Sequence, residues 1–191
     1  MLSRYRPRVT TILRALIHDL GPLDRVLDFG AGDGQYACTI SRLSSIRSLS
    51  AVDVVRRKLS HFPVKLYDGV RLPYEDQSFD LIYAVDALHH CKDHISAIRE
   101  LQRCTYQFVL LKDHVCWTKA DRRILTILDE IGNRRFGIPS PNNYQQAWNW
   151  IETFDSAGFK MIRLIHPAAC EWGPIGWAAN RLQFFALFAV K

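Results

Sequence analysis

The chain has 191 residues, 48% of them hydrophobic and 23% charged, which is enough to bury one sizeable core and short for two. Its longest wholly apolar run, residues 184–190, falls far below the roughly 20 residues that cross a bilayer, so a transmembrane helix is excluded. Lysine plus arginine exceed aspartate plus glutamate by 25 to 19, a net charge of +6 spread over several segments, which permits an anionic partner without demanding one. Arg4, Arg6, Arg8 and Arg14 interrupt any secretory leader. Five scattered cysteines, with no Cys-x-x-Cys pair and no histidine at zinc spacing, read as reduced thiols of a cytoplasmic protein with no metal site.

Residues 4–19 carry Val9, Ile12, Leu13, Leu16 and Ile17 at helical spacing, and Gly21-Pro22 stops that helix. A short apolar strand at 25–29 then runs into a glycine-rich turn and a helix at 35–43. Further strands are expected at 49–54, 64–67, 79–85 and 107–111, with helices at 54–60 and 93–104 between them. Alternation of this kind predicts an α/β, doubly wound, Rossmann-like and mostly parallel sheet with helices on both faces. Residues 119–132 and 144–157 read as two more helices around a proline- and asparagine-rich loop, and runs at 159–165 and 182–190 as an antiparallel terminal pair. With no repeat or linker, the chain divides into an N-terminal helix (1–20), a ligand-binding half (21–112), a substrate-side insertion or lid (113–158) and the terminal strands (159–191).

The stretch Val26-Leu27-Asp28-Phe29-Gly30-Ala31-Gly32-Asp33-Gly34 is the most informative. Glycines at 30, 32 and 34 admit backbone angles closed to other residues and clear side chains from a ligand lying across the strand end. A dinucleotide fingerprint needs Gly-x-Gly-x-x-Gly; here the third glycine comes one place early. Asp28 would repel a pyrophosphate but suits a cationic group, and Asp53, ending the second strand, can accept bonds from both hydroxyls of a ribose. A ligand with a ribose, an α-amino group and a sulfonium but no phosphate meets these constraints: S-adenosyl-L-methionine.

On these residues the chain resembles the class I S-adenosylmethionine-dependent methyltransferases. The stretch from Asp68-Gly69 through Leu72-Pro73 to Phe79-Asp80-Leu81-Ile82, and Val85-Asp86-Ala87-Leu88-His89-His90 after the fourth strand, are similar to the small-molecule subgroup called the UbiE or type 11 group. The resemblance covers about residues 20–112 and implies a seven-stranded sheet with an antiparallel last strand. It implies that Asp28, Gly30, Ala31, Gly32 and Gly34 hold the methionine end of the cofactor, Asp53 the ribose, Asp68 and Gly69 the adenine, and that Asp86 borders the methionine part. Asp53 could equally cap the next helix, and Asp68 could serve only its turn.

Methyl transfer needs alignment and exclusion of water, and a base only where the acceptor must shed a proton. His89 and His90 after the fourth strand, and Lys112-Asp113-His114 after the fifth, are expected at the ligand edge, with Asp113, His114 and His89 as catalytic candidates. Asn133, Arg134, Asn143 and Tyr144 are the expected acceptor contacts. Trp148, Trp150, Phe154 and Phe159 read as core. The acceptor is expected to be a small, anionic molecule, the product S-adenosyl-L-homocysteine, and nucleic acid finds little support because no motif for methylating bases follows the fourth strand. Competing readings are an NAD(P)-binding oxidoreductase and a non-catalytic cofactor-binding regulator.

Overall fold

A computed structural model describes residues 5–133 and 143–191. The chain passes through α1 (Tyr5–His18), β1 (Leu23–Phe29), α2 (Gln35–Ile40), β2 (Ile46–Asp53), β3 (Lys65–Leu66) and β4 (Phe79–Val85). A 3-10 turn at Leu88–His90 leads to α3 (His94–Cys104), β5 (Thr105–Cys116), α4 (Lys119–Asn133), β6 (Gln145–Gln146) and α5 (Asn149–Ser156). The last elements are β7 (Phe159–Ile165), α6 (Gly173–Ala179), a second 3-10 turn at Asn180–Leu182 and β8 (Gln183–Val190). None of the described helices is long and apolar enough to cross a membrane.

All seven residues of β4 are buried, because helices cover both of its faces and an alternating polar face is not needed. On one face Val26, Leu81, Tyr83 and Leu110 pack with Val9, Leu13, Leu16 and Ile17 of α1 and Ile40 of α2. On the other, Leu27, Ile82, Val109 and Leu111 pack with Ile98 and Leu101 of α3 and with Trp150 and Phe154 of α5. Burial of each such side chain contributes about 1.5–3 kcal/mol. Trp150, Phe154 and Phe159 are core, as their composition predicts. The strand order is β3-β2-β1-β4-β5-β8-β7, with β6 joined to β5 off that path. The pairs β1–β2, β1–β4 and β4–β5 are parallel, and β8 runs antiparallel to both β5 and β7, which is the expected Rossmann-like sheet with its antiparallel last strand. The chain goes from β1 to β2 on one side and returns to β4 on the other, so a crevice opens at the carboxyl ends of β1 and β4, where open α/β sheets take ligands.

Three expectations are corrected. Residues 54–60 form no helix: β3 has two residues and pairs only with Val52 and Asp53, so the chain turns back over a short distance without a helix spanning the sheet. The fifth strand does not end at 111, because β8 continues the ladder to His114↔Gln183 and β6 pairs with Val115 and Cys116; Lys112, Asp113 and His114 therefore lie inside β5 rather than after it. That ladder also takes residues 145–146, so the helix expected from 144 starts at Asn149. The connection between the terminal strands contains α6, with Pro174 in its first turn, where a missing N–H is harmless.

Candidate functional site

The glycine turn sits at the carboxyl end of β1, held by Gly30 and Ala31 N–H groups donating to the Val52 carbonyl at 3.0 and 2.9 Å. Gly30 has φ +71°, and a Cβ there would lie 2.5 Å from the Ala87 Cβ across the crevice, so only glycine lets β1 and the β4 turn approach so closely. Gly32 differs: at φ +59° it faces open space, and a Cβ added there would meet no atom within 4 Å. A Cβ on Gly34 would meet Phe62 at 2.9 Å. Ala31 is buried against Ala37 and Ala51 and anchors the turn from below.

The acids expected around this turn occupy four different environments. Asp28 is 1% exposed, sealed under the turn, and burial, reinforced by Asp53, pushes its carboxyl up to about 7 despite the Tyr83 phenol. Asp53 accepts the Gly32 N–H at 2.7 Å and the Val55 N–H at 2.8 Å, one per oxygen, which leaves each oxygen a further lone pair. Asp68 is exposed and accepts the Val70 and Arg71 N–H groups at 2.8 and 2.9 Å; those bonds hold it below the usual carboxylate range, and Gly69 follows at φ +80°. A cavity of about 600 Å³ opens at the edge of β2, lined by Gly32, Ala51, Val55, Phe62, Pro63 and Tyr74 among others; it shares Gly32 with the turn and none of the four acids Asp28, Asp53, Asp68 and Asp86.

Asp86 directly follows β4 at φ +51°, a conformation that aspartate tolerates better than most residues and that recurs at functional sites. Its carboxylate, 25% exposed, pairs with Lys112 and accepts the Tyr5 hydroxyl at 2.5 Å. Lys112 is wholly buried and also donates to Gln183 Oε1 and to the Tyr5 oxygen, so the buried cation has three oxygen partners. Burial opposes the charge on Asp86, but Lys112 and His114 outweigh it and hold the carboxyl below its usual range.

On the other side of Asp86 three imidazoles meet two carboxylates. His89 is 1% exposed, and its Nδ1 lies 2.7 Å from Asp113 Oδ1. Burial disfavours charge on this ring, but Asp113, Asp129 and Asp86 outweigh it and push His89 up to about 10; Asp113 is correspondingly held far below the usual range. His90 is pushed down to about 4 by burial and by the neighbouring His89. Burial and Lys112 lower His114, whose Nδ1 stands 3.6 Å from both Asp86 and Asp113 and makes no hydrogen bond.

Tyr144 stacks on His89 with centroids 5.2 Å apart, and its hydroxyl reaches the Leu125 carbonyl at 3.3 Å. Asn143 donates to the Cys91 carbonyl at 2.8 Å. Both therefore spend polar groups on the backbone. Asn133 ends α4, its side chain lies outside the described residues, and Arg134 lies outside them altogether. Tyr5, Gln183 and Asp129 escape sequence reasoning, because each arrives from a distant element and no local motif marks it; the signals in the sequence for the network they complete are Asp86 and His89-His90 after β4 and the Lys112-Asp113-His114 run.

Residues 27–107 match the family described as methyltransferase domain. The demethylmenaquinone methyltransferase of Mycobacterium sp. (strain KMS) is 33% identical over 91 residues, covering 45% of this chain and 39% of that protein. The 27-O-demethylrifamycin SV methyltransferase of Amycolatopsis mediterranei is 27% identical over 93 residues, 42% of this chain and 34% of its own. The chain thus spans between a third and two fifths of the length of these relatives. Among solved structures the YcgJ protein from Bacillus subtilis shares the fold, with a TM-score of 0.65 at 18% identity over 93% of this chain and 97% of that one.

Proposed function

We propose, from the premise that residues 27–107 belong to the class I S-adenosylmethionine-dependent methyltransferases, that the chain transfers a methyl group to a small-molecule acceptor. The observation that carries this reading is the open space over Gly32 beside the Asp53 carboxylate, at the crevice where the strand order reverses. The donor set fits the cofactor. It combines backbone N–H groups, a strand-end carboxylate with lone pairs to spare and a second, partly exposed carboxylate at Asp86, and Arg6 beside the turn is already paired with Asp33 at 2.7 Å.

Bound here, S-adenosylmethionine would supply an electrophilic methyl carbon on a sulfonium, with S-adenosylhomocysteine as the product. Asp53 would accept the ribose hydroxyls and Asp86 would face the α-amino group, while Asp68 and Gly69 border the adenine side. Lys112, Gln183 and Tyr5 fix the Asp86 carboxylate in place, so the site is organised before any ligand enters. Asp28, buried under the turn, supports it from below. The acceptor would approach His114, the partly exposed ring of the three, with His89 and Tyr144 packed behind it to exclude water from the line of transfer. Where the acceptor carries a proton, His114, partly exposed and beside Asp86, is the base proposed to receive it. Asp113 acts as a positioning residue for His89.

Calorimetry tests the reading. S-adenosylmethionine and S-adenosylhomocysteine are expected to bind, and Gly32→Val, whose side chain enters open space, to weaken both by more than about a hundredfold while the circular dichroism of the fold persists. Binding of NAD(P) in their place, or unchanged affinity in Gly32→Val, overturns it. Cofactor binding without transfer of labelled methyl to any of a broad panel of acceptors favours the regulatory reading instead.

A further inference from the structure

We propose that His89 Nε2, His90 Nε2 and Asp129 Oδ1 form a binding site for one divalent transition cation of the zinc type, a site that methyl transfer itself does not require. The three donors come from two elements, the 3-10 turn after β4 and helix α4, and lie within 4.8 Å of one another. Asp129 Oδ1 stands 3.8 Å from His89 Nε2 and 3.5 Å from His90 Nε2. Those separations are too long for good hydrogen bonds, yet they match the roughly 3.4 Å between neighbouring donors around a tetrahedral cation with bonds of about 2.0–2.1 Å.

A second observation points to the same spot. His89 Nε2 is buried and, apart from Asp129 at 3.8 Å, has no polar partner at hydrogen-bond distance among the described residues. Its other ring nitrogen is held by Asp113 Oδ1 at 2.7 Å, the carboxylate–histidine pairing that orients metal-binding imidazoles, and a cation at Nε2 would displace the proton that Asp113 and Asp129 favour there in its absence. The stacked Tyr144 ring fixes the imidazole plane. One carboxylate ligand and a second carboxylate behind the histidine together balance a double positive charge. Asp129 and His90, 13% and 21% exposed, offer a way in. Three protein ligands leave a fourth position for water or an acceptor oxygen.

His89, Asp113 and His114 also lie at metal-ligand spacing. Asp113 there is wholly buried, its Oδ1 accepts both the His89 Nδ1 and the His114 backbone N–H bonds, and its Oδ2, unpartnered among the described residues, has no exposure to solvent, so the partly exposed site with His90 and Asp129 is favoured.

Titration of the metal-free protein with Co²⁺, followed by visible absorption, tests the site independently of methyl transfer. One equivalent is expected to bind with the intense bands of four-coordinate cobalt and to be displaced by Zn²⁺. His90→Ala and Asp129→Asn, both at partly exposed positions, are each expected to lower affinity by more than about a hundredfold, and Asp113→Asn, which keeps all three ligands, by about 10–100-fold. His114→Ala is expected to leave affinity within about twofold, because that ring lies outside the ligand set. Absence of four-coordinate bands at micromolar protein, or unchanged affinity in folded His90→Ala and Asp129→Asn, overturns the proposal. Loss of binding in His114→Ala with retention in His90→Ala overturns it in favour of the other triad.

Discussion

The two sides of the crevice are built by different means. On the glycine-turn side the backbone carries the site: Gly30, Gly32 and Gly34 take positive φ, Asp68 binds N–H groups of its own turn, Asp53 binds the Gly32 N–H and its own Val55 N–H, and the two strands involved, β1 and β2, are successive in the chain. On the histidine side, apart from Asp86 with its positive φ, side chains brought from far apart make the site: His89 with Asp113, His90 with Asp129, Lys112 with Asp86, Gln183 and Tyr5. A turn can be written in one short motif, whereas a buried charge network exists only once β4, β5, β8, α1 and α4 have packed together.

Substitutions can break or sharpen this contrast. The largest effect is expected at Asp28. Its carboxyl is raised in the fold to about 7 by burial, so the stability it contributes is present in full below about 4, is lost as pH rises to about 7, and stays lost above. Asp28→Asn removes that dependence, so in urea titrations the variant is expected to gain on the parent by up to about 4 kcal/mol between pH 4 and pH 8.5. A gap that does not change with pH would place the carboxyl in the open cleft and erase the difference between Asp28 and the other acids.

A smaller effect separates two glycines of the same turn. Gly30→Ala combines a left-handed backbone with a 2.5 Å contact to Ala87 and is expected to lose about 3 kcal/mol, whereas Gly32→Ala meets only the backbone strain, about 1 kcal/mol. Equal losses in denaturant titrations would mean that steric closeness of β1 and the β4 turn does not distinguish them. The smallest effect belongs to the network: Tyr5→Phe deletes one hydroxyl while Lys112 keeps Asp86 and Gln183, so a loss of about 1 kcal/mol is expected. A loss several times larger would show that α1 holds the network rather than leaning on it.

Much of the sheet is legible because central strands are short apolar runs; β4 falls on 79–85, as its apolar run predicts. The apolar pattern misleads where charge resembles the end of a strand. Lys112, Asp113 and His114 continue β5 because partners from other elements neutralise them, and no local pattern shows such partners. It misleads likewise at 54–60, where helical composition goes unused because a two-residue β3 leaves no span for a helix. The turn's glycines are legible, but their separate jobs are not, since close approach at Gly30 and open space at Gly32 depend on Ala87 and on the shape of the crevice.

By itself the sequence determined the α/β alternation, the glycine turn and the residue types gathered at the strand ends, because periodicity and backbone freedom are local properties. Only the tertiary structure decided which acid is sealed, which is solvated and which is paired, and that three histidines and two aspartates converge beside Asp86. Desolvation and charge pairing depend on what the folded chain places within a few ångströms, and that distance is not written along the sequence.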